Sequence, residues 1–304
     1  MSDSIATLRR KITGASDLHS VVRTMKALAA SSIGDYERSV LVLAAYDRMV
    51  SLGLGECFRQ ASCRCSAEAG NAQGPADPPK KESPDGPIGA IVFGSDQGLV
   101  GPFNDVIAQF AIDALASLPG RARVWAVGER VHARLKDAGL DVPVVYAVPG
   151  SVQAIAPLIA QIQIDSEASR AKSGITQVHV FHNRPLTGSL YEPVSRRLLP
   201  LDAAWQHSLA AMPWPGKTKA EVLDHGAATL RALIREYLFI SLFRACAESL
   251  ASENASRLAA MERADRNIKD LLEQLHGSFH RLRQGSIDEE LFDLTAGYEA
   301  LAHS

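Results

Sequence analysis

Aromatic residues are scarce, at 6% of 304. That is thin for a chain folded around one large globular core. An excess of charge of one sign is also missing. Lys and Arg number 32 and Asp and Glu 34, for a net charge of -2. This balance supplies no strong basic field, so no nucleic-acid partner is expected. No uninterrupted apolar stretch approaches the ~20 residues that a membrane-spanning helix needs. The start, MSDSIATLRRKITG, lacks the apolar core of a signal peptide. A reducing compartment is therefore expected, with the four cysteines as thiols. No Ser-His-Asp order, paired-carboxylate motif or HExxH stands out, so catalytic equipment is meagre. What the chain does have is 46% hydrophobic and 22% charged residues, the balance of a folded protein. Alanine is plentiful, and with Leu, Glu and Arg it forms the vocabulary of long helices.

The N-terminal segment, residues 1–65, reads as a long helix. Ile5, Leu8, Ile12, Ala15, Val22, Met25, Ala29, Ser32, Tyr36, Val40 and Leu43 recur at steps of mostly three and four, the spacing of a coiled-coil seam. His19 is the polar exception in this stripe. Gly14 and Gly34 each weaken the helix by ~1 kcal/mol. Residues 66–87, rich in Pro, Gly and charge, read as a flexible linker. Residues 88–201 alternate short apolar runs with helical patterns. Strands are expected at 88–94, 123–127, 142–148, 177–182 and 191–199, and helices at 104–117, 129–138 and 152–170. Such alternation predicts a mainly parallel, Rossmann-like α/β domain, its last two strands an antiparallel pair. The polar centre of the fifth strand, Ser195 and Arg196, marks it as an edge. Residues 202–216 read as a linker. From 217 to 304 helix returns, with no proline after Pro215. Its stretch 244–266 is dominated by Ala245, Ala247, Ser249, Ala251, Ala255, Ala259 and Ala260, expected to line a close helix–helix seam. A narrow seam on a long helix needs a partner helix. The fold class expected is therefore a long antiparallel coiled coil of the terminal helices plus a central α/β domain.

Four constellations invite a chemical reading. Ala211–Thr218, AMPWPGKT, looks like a phosphate loop that would use Lys217 and Thr218. It does not follow a buried strand, and Pro213 and Pro215 supply no backbone N–H, so it is read as a linker. Gly94–Gly101, GSDQGLVG, sits between a strand and a helix as a dinucleotide loop would, but Asp96 would repel a pyrophosphate. It is read as a tight turn, and no cofactor or metal is expected. Cys57, Cys63 and Cys65 cluster without a histidine to complete a zinc set. Metal binding, reversible thiol chemistry and three plain thiols at a helix end all stay open for them. His179 and His182 lie at an odd spacing on one strand, hence on opposite faces, and are read as structural.

Four segments carry a resemblance. Thr24–Ser32, TMKALAASS, resembles the AMKMVAASK stretch of the gamma subunit of F-type ATP synthases. Ser95–Asn104, SDQGLVGPFN, resembles that family's SDRGLCGGFN loop. Ser252–Asp270, SENASRLAAMERADRNIKD, resembles SEHAARMVAMDNATDNAGE, and Arg283–Leu291, RQGSIDEEL, resembles RQAAITQEL. The four occur in the family's order and span nearly the whole chain. There are departures. Ile33, Gly34 and Asp35 replace a basic run, Pro102 replaces a glycine, Asp288 replaces a threonine, and 66–87 is lengthened, as in a divergent member.

The resemblance implies a central rotor stalk without catalytic residues of its own. In that family two helices form a shaft inside a ring of alpha and beta subunits. The foot of the shaft meets the epsilon subunit and the membrane c-ring, at the cytoplasmic face of the bacterial inner membrane. Coupling to a proton or a sodium ion is left open. The resemblance also implies that Met25, Lys26, Arg283 and Gln284 contact other subunits. A nucleotide-binding α/β enzyme with coiled-coil extensions is the alternative, and a coiled-coil scaffold unrelated to rotation is a third reading.

Overall fold

The computed structural model describes residues 4–68, 86–187, 190–216, 218, 220–222 and 227–302. Its elements are, in order, α1 (Ile5–Glu68), β1 (Ile88–Phe93), α2 (Phe103–Ala116), β2 (Ala122–Val127), α3 (Glu129–Asp137), β3 (Asp141–Tyr146), α4 (Ile155–Ser173), β4 (Gln177–Pro185), β5 (Tyr191–Leu199), α5 (Ala203–Ala210) and α6 (Ala227–Ala302). The chain divides into two compact units, Met1–Ala30 with Arg257–Ser304, and Ser31–Ser256. No described helix is long and apolar enough to cross a membrane. No proline interrupts α1 or α6, so neither loses a backbone hydrogen bond along its length.

In the larger unit five strands form one sheet in the order β3-β2-β1-β4-β5. The first four are parallel, and β5 runs antiparallel to β4 along one edge. The period-2 alternation of strands divides their side chains between two cores. Ile88, Ala90, Val92, Val124, Ala126 and Phe181 face α2 and α3. Ile91, Phe93, Trp125, Val127, Val178 and Val180 face the opposite way, onto Ile155, Ile159 and Ile162 of α4 and onto α6. Both faces are covered, and β1 is accordingly buried along its full length.

The small residues of α6 meet this sheet. Ala245, Cys246, Ala247, Leu250 and Ala251 share a core with the sheet residues and with Tyr36 of α1. The expected helix–helix seam is thus corrected for this stretch: the alanines admit the sheet as well as a helix. An α-helix bordered on more than one side buries more than a stripe. Ser241, Ser249, Ser252 and Glu253 are correspondingly buried beside the alanines.

The segment 202–216, expected as a linker, contains α5. Asp202 caps it by accepting the Trp205 N–H at 2.6 Å. At its other end Arg59 of α1 donates to the carbonyls of Ala210 and Met212, at 2.9 and 2.7 Å. Here α1 and α5 approach closely, at Gly55. A Cβ on Gly55 would stand 2.3 Å from the Leu209 carbonyl oxygen, whereas one on Gly34 would meet nothing within 4 Å. The two glycines of one helix should therefore respond oppositely. Gly34→Ala is expected to raise the melting temperature, since Ala replaces Gly within a helix where a Cβ has open space, with a gain of roughly 0.5–1 kcal/mol. Gly55→Ala is expected to lower it, at a cost of about 1–3 kcal/mol for overpacking. Thermal melts followed by circular dichroism check both signs.

Candidate functional site

In the smaller unit α1 and α6 pair in opposite directions. Lys26 lies 3.5 Å from Glu262, His19 lies 2.8 Å from Asp265, and the Arg9 guanidinium sits 5.8 Å over the Phe279 ring. As the α1 number falls, the α6 number rises. Val22, Met261 and Ile268 are buried between them, with Met25, Ala260, Ala264 and Leu272 packed around. The single polar residue of the α1 stripe is thereby explained. His19 Nε2 faces Asp265 Oδ1, whose other oxygen accepts from Lys269 Nζ at 2.8 Å. The Lys269 hydrogen bond, with that of His19, holds the Asp265 carboxyl below the usual carboxylate range against the opposing effect of burial. Asp265 escaped the sequence reading. Its signal is an acid within the α6 stripe, three residues before Ile268.

Along this register the α1 residues run out near Ile5, which shares a groove with Ser278, Arg281, Leu282 and Gly285. α6 continues past that point. Ile287, Leu291, Phe292 and Leu294 are 53–73% exposed, and Ile287, Leu291 and Leu294 follow one another at steps of four and three. Arg283 and Gln284 lie at the start of this overhang, both exposed. The four residues singled out by resemblance therefore sit in different settings. Met25 turns into the helix pair, Lys26 is engaged with Glu262, and Arg283 and Gln284 project from the overhang.

In the larger unit the loop Ser95–Asn104 consumes its own polar groups. The Ser95 N–H donates to Asn104 Oδ1 at 2.9 Å, and Asn104 Nδ2 returns a bond to Ser95 Oγ at 2.8 Å. Asp96 accepts from the backbone N–H groups of Glu129, at the start of α3, and Val148, at 3.1 and 2.8 Å. Its carboxylate thus occupies a helix N-terminus where an anionic ligand would otherwise sit. Leu99 takes a left-handed φ of 64°. Two serines of α6 then bind the surroundings of this loop. Ser256 Oγ donates to the Val100 carbonyl at 2.6 Å. Ser252 Oγ donates to the Asn183 carbonyl at 3.0 Å, and Asn183 Nδ2 donates to the Phe103 carbonyl at 3.1 Å. Two of the resembling segments are therefore in direct contact, which the sequence could not show.

The remaining candidates separate plainly. Cys57 is buried, and burial, with Glu56 nearby, pushes its thiol pKa up, the opposite of activation. The side chains of Cys63 and Cys65, and all of Lys217, lie outside the described residues. Among the described residues no cluster of His, Cys, Asp and Glu forms a metal site. His179 and His182 do face opposite ways. His179 lies near Phe181, its pKa lowered by burial and then by Arg197. His182 reaches Glu248 of α6 at 2.8 Å.

A family model described as ATP synthase matches residues 4–301. The chain belongs to the ATP synthase gamma-chain family. An ATP synthase gamma chain of Pelotomaculum thermopropionicum is 23% identical over 303 residues, covering 98% of this chain and 99% of the relative. One from Pseudarthrobacter chlorophenolicus is 27% identical, covering 99% and 100%. Among solved structures, a chain of the Euglena gracilis mitochondrial ATP synthase, in an assembly of OSCP, F1 and c-ring, superposes with a TM-score of 0.59 at 16% identity, covering 98% of this chain and 94% of that one. A chain from the central stalk and c-ring of the Tetrahymena thermophila enzyme gives 0.54 at 20% identity, covering 80% and 99%. These superpositions show a shared fold.

The polar pairing between α1 and α6 carries a pH signature. Asp265 has its pKa lowered in the folded chain, so its ionised form contributes stability at neutral pH, and that contribution fades as pH falls through the carboxylate range. Asp265→Asn is expected to melt below the wild type at neutral pH, with the gap closing on acidification. Paired melts across pH check the convergence; a gap constant with pH would contradict it.

Proposed function

We propose that the chain is the central rotor stalk subunit of a rotary ATP synthase, coupling ion flow through a membrane sector to ATP synthesis or hydrolysis in a ring of alpha and beta subunits. One observation carries this reading: the family match extends from residue 4 to residue 301, through both long helices and the sheet between them. The paired register of α1 and α6 supports reading them as an antiparallel coiled coil. The parallel order β3-β2-β1-β4 supports reading the sheet domain as Rossmann-like. The role is mechanical, and catalysis belongs to the ring.

Within this reading the overhang of α6 is the part that enters the ring. Its exposed apolar row has no partner among the described residues of the chain, and apolar surface of that kind marks an interaction site. Arg283 and Gln284 contact the ring there. A guanidinium offers a planar fork that pairs a carboxylate at two points. Lys26 contributes by exchanging Glu262 for an external partner, and Met25 by fixing the helix pair from inside. The epsilon subunit and the membrane c-ring are the further partners, and the complex sits at the cytoplasmic face of a bacterial inner membrane. The alternative of a nucleotide-binding enzyme draws no support from the loop that prompted it, where Asp96 takes the place an anion would need.

The test is reconstitution. Tagged chain should co-purify with its alpha and beta subunits, and Arg283→Ala should lower ATP turnover of the assembled complex several-fold. Losing a charge-assisted hydrogen bond of ~1.5–3 kcal/mol sets that scale. Failure to co-purify would remove the rotor reading. Wild-type turnover in the variant would remove Arg283 from the contact while leaving the rotor intact.

A further inference from the structure

Charge is mixed in one part of the smaller unit and sorted in another. Where Lys26 faces Glu262, and Asp265 holds His19 and Lys269, opposite signs stand side by side. Nearer the start of α1 the pattern changes. Arg9 over Phe279, and Ile5 in a groove with Leu282 and Gly285, set residues 5–12 of α1 beside 274–287 of α6. These two stretches carry Arg9, Arg10, Lys11, Arg281 and Arg283 and no carboxylate. From Asp288 on, the sign inverts. Asp288, Glu289, Glu290 and Asp293 are exposed, and no Lys or Arg follows Arg283. Against the RQAAITQEL stretch of the family, RQGSIDEEL gains two of these acids, Asp288 and Glu289.

The band of cations meets neutral groups. Arg9 lies over an aromatic ring, and Arg281 donates to the Gly277 carbonyl and to Ser278 Oγ, both at 3.4 Å. Neutral partners leave both charges uncompensated. Of the four acids only Glu289, at the boundary, shares a groove with Arg281. Blocks of like charge repel within themselves. A surface of opposite sign outside each block relieves that repulsion.

The end of α6 also presents these groups all round. Successive helix residues stand about 100° apart about the axis. Asp288, Glu289 and Glu290 therefore lie on three different sides, and Asp293 falls between the last two. Ile287, Leu291 and Leu294 form a row on one side, and Phe292 stands well away from it. A single helix laid alongside, such as that of a second copy of this chain, covers one side only. A surface that answers every side must enclose the helix.

We propose that this end docks into an enclosing protein surface with two charged levels: carboxylates around the arginine band and, about 13 Å further along the axis at 1.5 Å per residue, Lys or Arg side chains around the acidic end. The inference rests on the rotor reading, in which the ring of alpha and beta subunits supplies that surface. Two levels of opposite sign fix the axial position of α6 while leaving it free to turn. A shift along the axis brings like charges together, which is costly, whereas rotation exchanges one charge for another of the same sign.

Titration of the fluorescently labelled full chain with its alpha and beta subunits, at low and at high NaCl, tests this. One variant neutralises the acidic end, combining Asp288→Asn, Glu289→Gln, Glu290→Gln and Asp293→Asn. A second neutralises the band with Arg10→Gln and Arg281→Gln. All six positions are exposed, and circular dichroism checks that each variant is folded. Wild-type affinity should fall as salt rises, since salt screens exposed charge. Each variant should bind roughly tenfold more weakly at low salt, the sum of several solvent-facing charge pairs, with a flatter salt dependence. Asp137→Asn, exposed on α3, should match the wild type. Salt-independent binding, or indifference to either variant, overturns the two charged levels and leaves the rotor reading standing. A salt-sensitive homodimer of the chain alone, lost in the first variant, assigns the charges to a second copy and overturns the enclosing partner. No binding of the wild-type chain removes the rotor reading and this inference with it.

Discussion

The burial of α6 on more than one side between Ser241 and Ser256 is the constraint on which the larger unit depends. A helix in that position meets the sheet, α4 and α1 at short range, so its side chains must be small where backbones approach. Ala245, Ala247 and Ala251 meet that demand, and each is at most 2% exposed. The cost is that small side chains bury little apolar area, at ~25 cal/mol per Å². Hydrogen bonds from Ser252 and Ser256 to strand-end and loop carbonyls offset part of that deficit. They also fix the helix in rotation and along its axis, which apolar contacts alone do weakly. A one-residue slip would leave the Val100 and Asn183 carbonyls unsatisfied.

The same logic recurs, with charge, in the smaller unit. An apolar stripe with steps of three and four tolerates slippage by a turn, because one Leu or Ala resembles the next. His19 opposite Asp265, and Lys26 opposite Glu262, break that degeneracy. A polar residue inside an otherwise apolar seam is a known device for specifying register at some cost in stability. Asp265 is also held by Lys269 one turn along its own helix, so the acid is oriented from within α6 as well as from α1. The stretch of α6 beyond Ile5 shows no such device among the described residues, and its apolar side chains Ile287, Leu291, Phe292 and Leu294 stand exposed.

What was legible in the sequence follows from which signals are periodic. The strands at 88–93, 122–127 and 141–146 and the helices between them announced themselves by short apolar runs of fixed period. The two long helices did so by seam spacing and the lack of proline. α5 was not legible, because its eight residues make barely two turns and its cap, Asp202, sits beside Leu199 and Leu201 in what reads as a strand end. Within 244–266 the role of Ala245, Ala247 and Ala251 was misread for a deeper reason, whereas Ala260 does pack in the helix pair. Alanine spacing reports that something approaches closely, not what. A sheet and a helix ask for the same small residue, and only the tertiary fold distinguishes them. Asp265 was hidden because its partner lies 246 residues away, and a lone acid in a charged helix resembles its solvated neighbours.

The loop Ser95–Asn104 shows how a resemblance to one motif can conceal another use. Strand, glycine-rich turn and helix form the frame of a dinucleotide site, and that frame depends on open backbone N–H groups at a helix start. Here a Cβ on Gly94 would stand 2.4 Å from Val131 and one on Gly128 2.8 Å from the Ser95 backbone. The glycines therefore serve close packing of chain on chain, not approach of a ligand. With Asp96 on the α3 amides and Asn104 on Ser95, the turn is closed by its own side chains. Its outward groups, the Val100 and Phe103 carbonyls, are those that Ser256 and Asn183 take. A frame suited to holding a cofactor has become the clasp that joins the sheet domain to the small-residue face of α6.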